Sequence, residues 1–198
     1  MMEQLVSGVL VGNEDADSIE ETGGGGGCAF NLAGITLATC AQLEVLSGPL
    51  GCAPPFVEMP DTGAPEPYTY AAAWSPSQGI TCGTVRSEIS TNGSLGIISA
   101  GVWLGGSVPE EGFAALFVIN AVVIQYFGIT VASASATFVD GAEISLTVTA
   151  GGFATASYNG VALVSWGGPE PATPGLAGIV GETYGHNQTL AIEDCRCA

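Results

Sequence analysis

Nineteen carboxylates and a single histidine are the groups in this 198-residue chain that could move protons. Glycoside hydrolysis requires two carboxyl groups facing the same side of a sugar, about 5–5.5 Å apart in a retaining enzyme. Glu110-Glu111 and Glu193-Asp194 are adjacent pairs, whose members face opposite ways in a strand, Glu20-Glu21 lies near the amino end, and Glu143 stands alone in its segment. His186 sits in the turn-like Gly185-His186-Asn187-Gln188, and no Gly-x-Ser-x-Gly elbow supplies a nucleophile for it to activate. The residues therefore predict a protein that is not an enzyme.

Metal chemistry is similarly thin. Asn13-Glu14-Asp15-Ala16-Asp17 alternates oxygen ligands as a calcium loop does, but Ser18 stands where such a loop needs glycine and Gly24 where it needs a bidentate glutamate. Cys28, Cys40, Cys52, Cys82, Cys195 and Cys197 are an even set suited to disulfides in an oxidising setting. Zinc is the rival reading. The spacings are long apart from one Cys-x-Cys, and no Cys-x-x-Cys or nearby histidine completes a tetrad. Cys195 and Cys197 share one face of a terminal strand, so separate partners are expected for them. Trp74, Trp103 and Trp166, with Tyr68, Tyr70, Tyr126, Tyr158 and Tyr184, are candidates for stacking on sugars. Trp103 and Tyr184 are singled out as carbohydrate-binding residues, Tyr184 because its Gly-rich loop is the least core-like setting.

Two basic residues, Arg86 and Arg196, give a net charge of −17. Such a surface repels phosphate backbones, which excludes nucleic acid as a partner. The opening Met1-Met2-Glu3-Gln4-Leu5 has no basic region before an apolar run, so no secretion leader is expected. Phe113 to Val139 carries no charge and is long enough to span a bilayer, but Asn120, Gln125 and Gly128 interrupt it and favour strands over a membrane span.

The elements that must position these residues are strands. Ile144, Leu146 and Val148 alternate with Ser145, Thr147 and Thr149, and Asn159-Gly160 is a type I′ hairpin signal. A two-residue turn there predicts Tyr158 opposite Val161, Thr155 opposite Val164 and Phe153 opposite Trp166. Further strands are expected at 68–74, 83–90, 96–104, 113–119, 122–127, 130–136, 143–150, 177–181 and 188–194, with helices nearly absent. The Pro- and Gly-rich stretch 48–67 reads as a loop or crossover. Residues 1–27 read as an arm with an apolar start (Leu5, Val6, Val9, Leu10, Val11), an acidic cluster and a five-glycine tether, leaving 28–198 as the folded domain.

Tyr158-Asn159-Gly160, the loop ending Pro174-Gly175-Leu176-Ala177-Gly178-Ile179 and the final Leu190-Ala191-Ile192-Glu193-Asp194 resemble the C-terminal half of concanavalin A-like lectin/glucanase domains. Tyr68-Thr69-Tyr70-Ala71, then 83–90 and 96–103, resemble the core strands preceding it in laminin-G-like members. The resemblance spans about residues 65–198 and implies an all-β, antiparallel jelly-roll sandwich. The Glu-x-Asp-x-x-Glu strand of its glucanases is missing here. Members often hold calcium through loop carboxylates, which makes Asp61 and Asp140 calcium candidates, although Asp140-Gly141 is also a plain turn.

Together these features favour a non-catalytic structural protein: a bacteriophage virion decoration or tail-associated component, on the virion or an extracellular surface. Its arm would add a strand to a neighbouring subunit, a capsid or tail protein or another copy of the chain. A lectin-like module binding surface glycans is the alternative, and a glycoside hydrolase the second alternative.

Overall fold

The computed structural model describes residues 36–37, 43–48, 51–53, 56–58, 69–74, 77, 79–91, 99–168, 172–182, 186–187 and 189–195. The arm 1–27 lies outside them, as do Tyr184, Cys28, Cys40, Cys197 and Asp61.

Every regular element among the described residues is a strand, apart from short 3-10 turns such as Pro109–Glu111. The strands are β1 (Thr36–Leu37), β2 (Leu43–Ser47), β3 (Gly51–Ala53), β4 (Phe56–Glu58), β5 (Thr69–Trp74), β6 (Gly83–Ser90), β7 (Ser99–Leu104) and β8 (Phe113–Val118). They continue with β9 (Ala121–Tyr126), β10 (Ile129–Ser135), β11 (Ala142–Val148), β12 (Phe153–Tyr158), β13 (Val161–Gly167), β14 (Ala177–Glu182), β15 (His186–Asn187) and β16 (Ala191–Asp194).

Two antiparallel sheets result. One runs β13-β12-β11-β6-β15-β4-β3, with β16 also on β6 and β1 on β16; the other runs β10-β9-β8-β7-β14-β5-β2. The alternation predicted for 143–149 is realised: Ile144, Leu146 and Val148 enter the core while Glu143, Ser145 and Thr147 face out. The inter-sheet core is aliphatic and aromatic, with Trp74, Val85, Val102, Phe113, Phe117, Ile124, Ile179 and Ile192 among its members. This is the expected jelly-roll-like β-sandwich.

Three local expectations are corrected. The hairpin closes with Tyr158 opposite Val161, but a bulge leaves Leu163 unpaired, so Thr155 faces Ser165 and Trp166 faces Ala154. A one-residue slip exchanges faces. Trp166 therefore packs against Tyr126 and Phe113, with ring centroids 5.2 and 6.0 Å apart, while Phe153 is 48 % exposed. The stretch 48–67 contains the pair β3 and β4. The strand expected at 188–194 is β16 over Ala191–Asp194, and β15 lies before it at His186–Asn187; both pair with β6, and β15 holds His186 in a sheet instead of a turn. The uncharged segment from Phe113 forms β8, β9 and β10, the strands expected of it, and no helix among the described residues is long and apolar enough to cross a membrane.

Candidate functional site

The outer face of the β10-to-β2 sheet is unusual for a solvent side, because its residues are mostly apolar. Cross-strand register lines up Val123, Leu116, Gly101, Val180, Ala71 and Ser47 in one row, and Gln125, Ala114, Trp103, Gly178, Ala73 and Glu44 in the next. Ala73, Trp103, Ala114, Leu116 and Val123 form a second buried cluster on this side. The chain leaving β7 folds back over the sheet: Gly105 N donates to Leu176 O at 2.8 Å, Gly106 N to Thr173 O at 2.9 Å and Phe127 N to Gly112 O at 3.1 Å. The 3-10 turn Pro109–Glu111 thereby stands beside the sheet as a wall.

Between that wall and β2 lies a cleft of about 340 Å³. Leu116, Val118, Val180 and Ala71 contribute apolar surface, and Ser47, Ser99, Glu110 and Gln125 contribute polar groups. The turn after β9 adjoins the wall, since a Cβ built on Gly128 would lie 3.8 Å from Glu110 Cγ. Phe127 in that turn is 48 % exposed, packs edge-on against Tyr126 and has φ of 50°. The left-handed conformation costs a bulky L-residue about 1–2 kcal/mol, and such strain concentrates at working surfaces. Apolar walls with a few fixed polar groups and an aromatic at the margin are the composition of a small-molecule site.

Trp103 belongs to the same face but is wholly buried, so its ring offers no free side for stacking on a sugar. Its Nε1 is buried with no hydrogen-bond acceptor among the described residues. Trp74 is a core residue and Trp166 is partly buried against the core. Tyr184 falls outside the described residues. Gln125, Glu110 and Phe127 carry no motif; only the register of β9 and the fold-back after β7 bring them together.

The opposite sheet shows a different outer face, made of hydroxyls and charges. Thr84 Oγ1 and Thr147 Oγ1 are 3.0 Å apart, as are Thr155 Oγ1 and Ser165 Oγ, and Arg86 pairs with Glu143 at 3.3 Å. Glu88 lies across from Glu143, so these two carboxylates share a face. They line neither this cleft nor the pocket beside Cys195.

Asp140 Oδ1 accepts from Ser90 Oγ at 2.7 Å and Thr91 N at 3.0 Å, bonds that hold its carboxyl below the usual range and tie it to the end of β6. Cys82, Asp194 and Cys195 form a potential metal-coordinating cluster, with ligand atoms within 4.8 Å of one another. It offers one carboxylate beside two sulfurs, whereas calcium takes six to eight oxygens. Cys82 and Cys195 are joined as a disulfide, so the two sulfurs are engaged with each other. Cys52 lies on β3.

The sequence matches no protein-family model and no curated protein. Solved structures do match. A protein of unknown function with a galectin-like fold from Bacillus subtilis superposes with a TM-score of 0.57 at 10% identity, over 77% of this chain and 88% of that one. The Emp47p carbohydrate recognition domain gives 0.55 at 8% identity, over 79% and 90%. The carbohydrate binding module CBM66 from Bacillus subtilis gives 0.52 at 8% identity, over 77% and 92%. At such identities the likeness is one of fold alone: a galectin-like, jelly-roll-like β-sandwich. The expectation of a virion decoration or tail component is overturned, because these structures are a carbohydrate recognition domain, a carbohydrate binding module and a galectin-like protein of unknown function, with no capsid or tail protein among the three.

Proposed function

We propose that the protein is a non-catalytic, lectin-like module that binds neutral glycans in the cleft walled by Pro109–Glu111. The observation that carries this reading is the cleft itself, on a sandwich whose fold is that of carbohydrate-recognition domains. Ser99, Glu110 and Gln125 supply hydrogen-bond groups for sugar hydroxyls. The apolar strips of Leu116, Val118 and Val180 meet the C–H face of a pyranose, and the exposed Phe127 stands outside the cleft lining, in the turn whose Gly128 adjoins Glu110.

Charge selects among glycans. A chain with net charge −17 repels sialylated, sulfated and uronic-acid polymers, so uncharged saccharides are the fitting class. The Cys82–Cys195 bridge suits an extracellular or cell-surface setting, where such glycans are displayed.

Affinity electrophoresis through gels containing neutral polysaccharides tests the reading. Retardation by at least one, diminished in Gln125→Ala and Glu110→Ala variants that melt as the parent does, is the expected result. Unretarded migration in every neutral polysaccharide overturns it.

A further inference from the structure

We propose that reduction turns the Cys82–Cys195 bridge into a binding site for a thiophilic divalent ion such as zinc, with Asp194 as the third protein ligand. The two cysteines do not depend on their covalent bond to meet. Asp194 pairs with Gly83 across β16 and β6, and Cys195 N donates to Cys82 O at 3.4 Å. Their Cα atoms are 5.5 Å apart. Gly83, with φ of 141°, makes this approach possible: any side chain there would run into the carbonyl of Glu193. The pairing of β16 with β6 thus brings both sulfurs and the carboxylate close together.

The dimensions suit a tetrahedral ion. Zinc–sulfur bonds of about 2.3 Å put two thiolates about 3.8 Å apart. All three ligand atoms here lie within 4.8 Å of one another, close enough for small rotamer changes to converge them. Cys82 and Asp194 are buried, which shields the charge of the complex, while Cys195 is exposed. Cys195 also lines a pocket of about 360 Å³ with Thr84, Thr147 and Glu193, giving the ion an entry path and its fourth position a solvent ligand. The chemistry balances: a dithiol or phosphine gives two electrons to the disulfide, two protons make two thiols, and the ion displaces those protons on binding. Sequence spacing hides the site, because its cysteines are 113 residues apart. It lies apart from the glycan cleft and does not rest on it.

The test reduces the full chain with a phosphine, removes the reductant anaerobically and adds zinc, then maps alkylation by iodoacetamide peptide by peptide. Zinc is expected to protect Cys82 and Cys195 in the reduced wild-type chain, with proton release. Cobalt(II) is expected to show thiolate charge-transfer absorption that Cys82→Ala diminishes. Asp194→Asn should weaken zinc binding roughly tenfold or more, since even outer-shell partners of metal ligands are worth that much. Full labelling of Cys82 and Cys195 in the presence of zinc overturns the proposal without recourse to any variant. An affinity unchanged in folded Asp194→Asn removes the carboxylate from it.

Discussion

Asn187 on β15 reaches across the space between the two sheets and donates from Nδ2 to the carbonyl of Gly101 on β7 at 3.1 Å, while also donating to Ser87 Oγ at 2.8 Å. Gly101 tolerates no side chain, because a Cβ there would run into the carbonyl of Ala115. A buried amide therefore ties the sheets together through an otherwise apolar interior. Asn187 also opens a match to a glycosylation sequon, and its burial at 1 % exposure makes that match inert in the folded protein.

Replacing Asn187 by Ala removes the amide donor from Ser87 Oγ and from the Gly101 carbonyl. Urea denaturation should show a loss of about 2–3 kcal/mol, with an unchanged slope. Intact mass after expression in a glycosylating host should show no glycan on Asn187. A glycan found there in folded protein would contradict the buried placement.

Phe127 should display a trade between stability and binding. Its φ of 50° suits glycine, so Phe127→Gly relieves the left-handed strain and raises stability by about 1 kcal/mol in thermal melts, a gain limited because a surface aromatic contact with Tyr126 is lost. The same variant should lose most of its glycan retention. A destabilised variant that still binds would show Phe127 to be structural only.

Two groups set the pH limits. Tyr158, packed on Phe117 with centroids 5.1 Å apart, accepts from Val139 N at 2.7 Å, and burial raises its pKa above 10.0. The native state keeps the proton where the unfolded chain releases it, so stability is full below pH 10.0 and falls as pH rises through the folded value. Asp140 works in the opposite direction. Its pKa is held below 3.8 by Ser90 and Thr91, so its contribution is present above that value and is lost as pH falls through the depressed one. Because Asp140 is exposed, the effect is expected to be about 0.5 kcal/mol or less. Stability measured against pH should lose its alkaline slope in Tyr158→Phe and part of its acid slope in Asp140→Asn.

Much of the sandwich was legible because β-strands announce themselves locally. Alternation at Ile144, Leu146 and Val148 and the Asn159-Gly160 turn identify β11 to β13, and the turn carries the expected positive φ at both residues. The bulge at Leu163 was not legible, because the twist and packing that favour an extra residue come from the neighbouring β10 and β9, to which Trp166 is drawn by Tyr126. The site was legible only as a fold-level expectation. Trp103 is on the right sheet face but buried, while Ser99, Glu110, Gln125 and Phe127 come from three parts of the chain that meet only when β7 to β10 are stacked and the 105–112 segment folds back. The disulfide partner of Cys195 was hidden in the same way, since pairing β16 with β6 depends on the whole topology.

The most direct measurement is backbone amide shift mapping by NMR, with a neutral oligosaccharide titrated into the full-length protein. The account predicts saturable shifts concentrated at Ser99, Glu110, Leu116, Gln125 and Phe127. Shifts gathered instead on the hydroxyl face of Thr84, Thr147, Thr155 and Ser165, or no saturable shifts with any neutral saccharide, would contradict it.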